Sequence, residues 1–129
     1  MACDPLLLNQ TKERQASKKV LQEVASLCVL KQYVRVPRAH QKRLRRAKKT
    51  TFVYKNTQAF RVVKDSKHLL FLQKFSKIYS SSANKSTQEF SLQWAKEHSD
   101  VWVMDARGLY QDRASRIYKF SKTKIKKLR

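Results

Sequence analysis

Apolar positions along this chain recur with two different periods, and the switches between them mark out its expected elements. Over residues 11–33, Ala16, Val20, Leu21, Val24, Leu27 and Cys28 return at three-, four- and seven-residue intervals, which draws one apolar stripe down a helix. Asn9 or Thr11 can cap its start, and Pro37 ends it, because the residue before a proline leaves the helical region. Cys28 falls on the stripe and is expected as a buried structural thiol, with a disulfide to Cys3 as the alternative.

The period then shortens to two. Thr50-Thr51-Phe52-Val53-Tyr54 and Ala59-Phe60-Arg61-Val62-Val63 are rich in β-branched and aromatic residues, and Lys55-Asn56-Thr57-Gln58 between them suits a hairpin loop. Phe52 and Tyr54 share one face, with Phe60 and Val62 across from them. The alternative is two extended pieces flanking a loop.

Helical spacing returns after Asp65 or Ser66, either of which can cap a helix running to about Tyr79 through Leu69, Leu70, Phe71, Leu72, Phe75 and Ile78. Its apolar residues spread around more than one face, so it is expected as the core helix. Ser86-Thr87-Gln88-Glu89 has capping-box spacing ahead of a helix carrying Phe90 and Trp94 and ending near His98. Val101-Trp102-Val103-Met104 reads as a short buried strand. Beyond Gly108, the only glycine in the chain, Tyr110, Ala114, Ile117, Tyr118 and Ile125 suggest a helix over 109–127 whose last turns are frayed or partner-bound.

These elements predict an α+β fold: a small, mainly helical domain with one β-hairpin and basic arms in the N-terminal half and at the C-terminus. The expected organisation is a tail over 1–10, an amphipathic helix over 11–36, a basic arm over 37–49, a body over 50–112 and a basic helix or tail over 113–129. At 129 residues there is room for one small domain, and thirteen aromatics are enough to seed its core.

Charge changes this picture. Thirty Lys and Arg against nine Asp and Glu give a formal +21, far beyond what solubility requires and strong enough to destabilise an isolated compact state by self-repulsion. Residues 24–64 contain no acid, and the eight residues 42–49 hold six cations. Like charges four apart in that block repel in a helix, which also lacks an apolar stripe, so the arm is expected to be disordered or extended until phosphates order it. Eight more cations lie in 113–129, whereas over 86–112 acids outnumber bases five to two.

Such cationic blocks point to a polyanion. The expected contacts are Arg35, Arg38, Lys42, Arg43, Arg45, Arg46, Lys48 and Lys49 in the first arm and Arg113, Arg116, Lys119, Lys122, Lys124, Lys126 and Lys127 in the second, with Lys55 and Arg61 on the hairpin. Arginine forks engage phosphates and stack on bases better than lysine does. Tyr54 and Phe60, beside basic residues, are candidates for base stacking, although aromatics at strand spacing more often belong to a core. Residues 38–46 also have the composition of a nuclear import signal.

Catalytic chemistry is not expected. His40, His68 and His98 are scattered, and His98 with Glu97 and Asp100, or Asp105 with Asp112, reads more simply as a helix end and loop acids. Two cysteines without Cys-x-x-Cys spacing make no metal site, and one glycine leaves no phosphate-cradling loop, so no cofactor and no metal are expected. Neither a membrane span nor a signal peptide is legible. The expectation is a non-enzymatic RNA-binding protein of the nucleus or nucleolus, or of a cytoplasmic ribonucleoprotein, acting as a subunit or assembly factor beside other proteins. Alternatives are a chromatin or viral DNA-binding protein, and an adaptor for an acidic protein.

Overall fold

The computed structural model describes residues 1–108 and 113–129, and its centre is a six-stranded mixed sheet. The strands are β1 (Leu21–Val24), β2 (Thr50–Val53), β3 (Ala59–Val62), β4 (Ile78–Ser80), β5 (Arg116–Phe120) and β6 (Ile125–Lys127), in the order β4-β1-β3-β2-β5-β6. Parallel pairs β1–β3 and β2–β5 alternate with antiparallel pairs β1–β4, β2–β3 and β5–β6. Around the sheet lie α1 (Pro5–Thr11), α2 (Leu27–Tyr33), a 3-10 turn (Arg38–His40), α3 (Gln41–Arg46), α4 (Ser66–Leu72) and α5 (Leu92–Glu97). The expected mainly helical domain with one hairpin is therefore incorrect: the fold is mixed α/β, and the hairpin is one pair within a larger sheet.

The largest departure lies within the expected helix over 11–33. Its middle is β1, an interior strand hydrogen-bonded to β3 and β4. Gln22 and Glu23 break strand alternation and favour a helical reading, yet both are buried. Each has a distant partner: Gln22 Oε1 accepts from Lys77 Nζ at 3.1 Å, and Glu23 Oε1 from Arg61 at 3.0 Å. Ser26, whose hydroxyl accepts from the Val29 amide, then caps α2. Cys28 and Cys3 are exposed free thiols, which corrects both the burial and the disulfide expectation for Cys28.

The expected tail also folds. Asp4 caps α1, with Pro5 at its first position. Asn9, buried, donates its amide to the carbonyls of Ala16 and Lys18 at 3.0 and 2.9 Å. Lys12 Nζ donates to the carbonyls of Ser82 (2.7 Å) and Asn84. The Lys12 bonds tie the N-terminal segment to the loop after β4.

The hairpin forms with Phe52 opposite Phe60. Its inner face, with Val24 of β1 and Phe120 of β5, packs against Leu30 of α2 and Leu44 of α3. The opposite face of the β4-β1-β3 half is covered by a smaller cluster of Val63, Leu72 and Ile78, flanked by Leu69, Phe71 and Phe75. Asp65 caps α4 as expected, accepting from the His68 amide at 2.9 Å, but the helix stops at Leu72 and only that residue is buried along it. It is a lid on half a sheet, not the core helix.

The remaining expectations change similarly. Ser91, not Ser86, caps α5, which buries no residue. Residues 101–104 form no strand, and each of their side chains is exposed. The expected C-terminal helix over 109–127 is replaced from Arg116 onward by β5 and β6; residues 109–112 lie outside the described residues.

Candidate nucleic-acid interface

The basic block 42–49 is folded, because Leu44 supplies an anchor. Helix α3 buries that one side chain (2% exposed) in the main core and turns Lys42, Arg43, Arg45 and Arg46 to solvent. His40, buried just ahead of α3, stacks on Phe120 of β5 with centroids 4.6 Å apart, and its Nε2 donates to the Ser121 carbonyl at 3.2 Å. The expectation of a disordered or extended arm is corrected: two buried side chains outweigh the repulsion among cations that keep their hydration.

Those contacts bring the two basic segments together. The chain leaves α3 through Lys48 and Lys49 and enters β2, which pairs in parallel with β5, so Thr50 lies opposite Arg116 and Phe52 opposite Tyr118. The Lys49 carbonyl accepts from the Arg116 amide at 3.2 Å. The Arg43 guanidinium lies over the Tyr118 ring, 4.9 Å from its centroid, a contact worth about 0.5–1 kcal/mol at an exposed site. Arg129 closes the edge, its guanidinium donating to the Ser115 carbonyl at 3.2–3.3 Å.

The cations of α3 thereby adjoin those on one face of the β5–β6 edge. Arg116 and Lys127 share the sheet face beside α3, Lys119 and Lys126 occupy the other face, and Lys122 and Lys124 sit on the exposed β5–β6 turn. Arg113 is exposed just ahead of β5. The described ion pairs, Arg61–Glu23, Lys85–Glu13, Arg107–Asp65 and Arg107–Asp105, and the contact of His68 with Glu23 involve no cation of α3, β5 or β6. The described ion pairs therefore leave the charge on these elements unneutralised.

Other expected contacts separate from this surface. Arg35 and Lys55 meet at the far end of β2, where they line an open groove of about 410 Å³ with Tyr33, Val34, Tyr54 and Asn56. Arg38 is exposed on the 3-10 turn between groove and helix. Arg61 turns inward: Glu23, 1% exposed, holds one terminal nitrogen and Ser115 Oγ accepts from the other at 2.8 Å. Tyr54 and Phe60, proposed for stacking, are 3% and 1% exposed and belong to the core. Two residues outside the expected contact set, His40 and Tyr118, join the segments, since their contacts link positions some eighty residues apart.

Among the described residues, no acid-base pair lies in the cationic surface. His98 stacks on Trp94, and its Nδ1 donates to the Trp94 carbonyl at 2.9 Å, while Asp105 is held by Arg107. Asp112 lies outside the described residues. Among the described residues, no group of three or more His, Cys, Asp or Glu gathers into a metal site, and no helix is long and apolar enough to cross a membrane. Compared with protein-family models, curated proteins and solved structures, the chain matches none.

Proposed function

We propose that this chain is a non-enzymatic RNA-binding protein, a subunit or assembly factor of a ribonucleoprotein particle, that grips the phosphate backbone with the joined surface of α3, β5 and β6. The observation that carries the reading is the convergence of two cationic segments, distant in sequence, onto one exposed face, through Arg43 over Tyr118 and the Lys49–Arg116 backbone bond. Lysine and arginine there release condensed counterions from each phosphate they neutralise. RNA is preferred to duplex DNA because α3, six residues long, spans only ~9 Å and uses Leu44 and Arg43 to hold itself on the sheet. It is better suited to an irregular backbone than to reading base edges in a groove. The exposed cations of α3 would also serve nuclear import.

The test is fluorescence anisotropy with a short RNA hairpin across a salt series, using Lys42→Gln/Arg45→Gln/Arg46→Gln and, separately, Arg116→Gln/Lys124→Gln/Lys127→Gln. A single surface requires both triple variants to weaken binding to the same short hairpin. Each should flatten the plot of log affinity against log salt by about 2, at ~0.7 per lost single-strand phosphate contact. Unchanged affinity and slope in the first variant would overturn the proposal, and stronger binding to competing duplex DNA would move the assignment to DNA.

A further inference from the structure

Away from the cationic surface, the groove at the far end of β2 gathers polar groups that lack partners among the described residues. Its volume of about 410 Å³ falls within the roughly 300–1,000 Å³ of small-ligand sites, and its lining is mainly apolar. Val34 and Tyr54 are buried in that lining, and the Tyr54 hydroxyl has no hydrogen-bond partner. The Tyr33 ring stacks on Phe60 with centroids 5.9 Å apart, and Lys77 Nζ lies over it at 4.9 Å. That ring is therefore a fixed wall rather than a free stacking face. Arg35 and Lys55 are exposed at the rim. Neither joins a described ion pair, and residues 24–64 hold no acid. Asn56 turns back into its own loop: its amide donates to Gln58 Oε1 at 2.9 Å and its carbonyl oxygen accepts from the Gln58 amide at 3.1 Å. These bonds stiffen the turn that carries Lys55.

Two cations above an apolar floor suit a ligand that joins an apolar body to a negative charge. A hydrocarbon leaves the cations without a counter-charge, and inorganic phosphate leaves the floor in water. A nucleotide answers both. We infer that this groove takes one unpaired nucleotide of the bound strand, with Lys55 holding its phosphate and the Arg35 guanidinium lying on the face of its base. The base then seats against Val34 and Tyr54, where its polar edge meets the hydroxyl that has no partner within the chain. Strand β2 is four residues long, ~13 Å at about 3.3 Å each. About four nucleotides at ~3.4 Å each therefore reach from Lys48, exposed just before β2, to the groove. That the strand is RNA rests on the proposed function; the chemistry of the groove does not.

The first arm of the test titrates uridine 5′-monophosphate into the full chain without RNA and follows backbone amides by NMR. Shifts should saturate and concentrate at residues 33–36 and 54–56. Ribose 5-phosphate, which keeps the charge and lacks the base, should bind at least ~10-fold more weakly. So should uridine monophosphate to Arg35→Gln/Lys55→Gln, whose two positions are exposed. The second arm adds an overhang of about four nucleotides to the RNA hairpin. An intact overhang should bind at least ~10-fold better than an abasic one, and the double variant should lose that gain. Equal binding of ribose 5-phosphate, undiminished binding by the double variant, or shifts centred on α3, β5 and β6 would each overturn the site. Nucleotide binding without any gain from the overhang would overturn its link to the strand. The blunt hairpin reports the cationic surface alone, so the two proposals fail separately.

Discussion

The Tyr54 hydroxyl is buried with no hydrogen-bond partner among the described residues. A buried unpaired hydroxyl costs about 1–3 kcal/mol, so Tyr54→Phe, which keeps the ring against Phe60 and Phe120, should be neutral or stabilise by ~1 kcal/mol in thermal unfolding. Burial also pushes the phenol above its ordinary 10.0. A raised folded value means that stability is fully present below pH 10 and is lost as pH rises beyond it, where the unfolded tyrosine ionises. The Phe variant should therefore lose part of the alkaline sensitivity of the wild type. Thr57 is a second local conflict, a β-branched residue at φ 64° in the β2–β3 turn, where glycine carries no such penalty. Thr57→Gly should gain ~1 kcal/mol in denaturant unfolding, less whatever the Lys19 bond to the Thr57 hydroxyl contributes.

At the scale of elements, α3 depends on one side chain. Leu44→Ala removes its buried anchor and should cost about 2–5 kcal/mol, and weaker RNA binding should accompany the loss as α3 frays from β5. Preserved binding together with a frayed α3, seen by amide exchange, would show that the cations need no helix. The Arg107 clasp is a separate element with its own pH dependence. Hydrogen bonds from Arg107 and from the His68 amide hold Asp65 down from 3.8 to about 2, and Arg107 holds Asp105 lower still. Because a depressed carboxyl stabilises above its unfolded value, the clasp is intact above about pH 4 and loosens as pH falls toward 2. Amide exchange at His68 should accelerate across that window in the wild type, and Arg107→Gln should shift the acceleration to higher pH.

Legibility also divides at this scale. The hairpin and the Asp65 cap were readable because each is closed within a few residues by turn chemistry or a side-chain bond. Strand β1 was not, because Gln22 and Glu23 look like a solvated helix face until Lys77, Arg61 and His68 arrive from far along the chain. Nor were β5 and β6, since Tyr110, Ala114, Ile117, Tyr118 and Ile125 recur at intervals of three, four and seven that also draw a helix stripe. The site residues were legible as cations, but Arg61 was misplaced by the same long-range pairing, and Tyr54 and Phe60 by the core they share.

For the whole molecule, charge sets the behaviour. If six to ten cations contact phosphates, RNA affinity should fall roughly a thousandfold to a hundred-thousandfold between about 50 and 200 mM salt. Stability of the free protein should move the other way: raising salt screens the self-repulsion of +21, so the melting temperature should rise with ionic strength. A melting temperature indifferent to salt would mean that the cations are spaced too far apart to repel.

By itself the sequence determined the sign and density of charge, the β2–β3 hairpin and the cap on α4, because charge is additive and these structures close over short stretches of chain. Only the tertiary structure decided that residues 21–24 and 116–127 are strands, that Arg61 and Tyr54 face inward, and that the basic segments form one surface. Each of those outcomes depends on pairing between residues tens of positions apart, where a partner's hydrogen bonds and burial outweigh the local periodicity that a sequence displays.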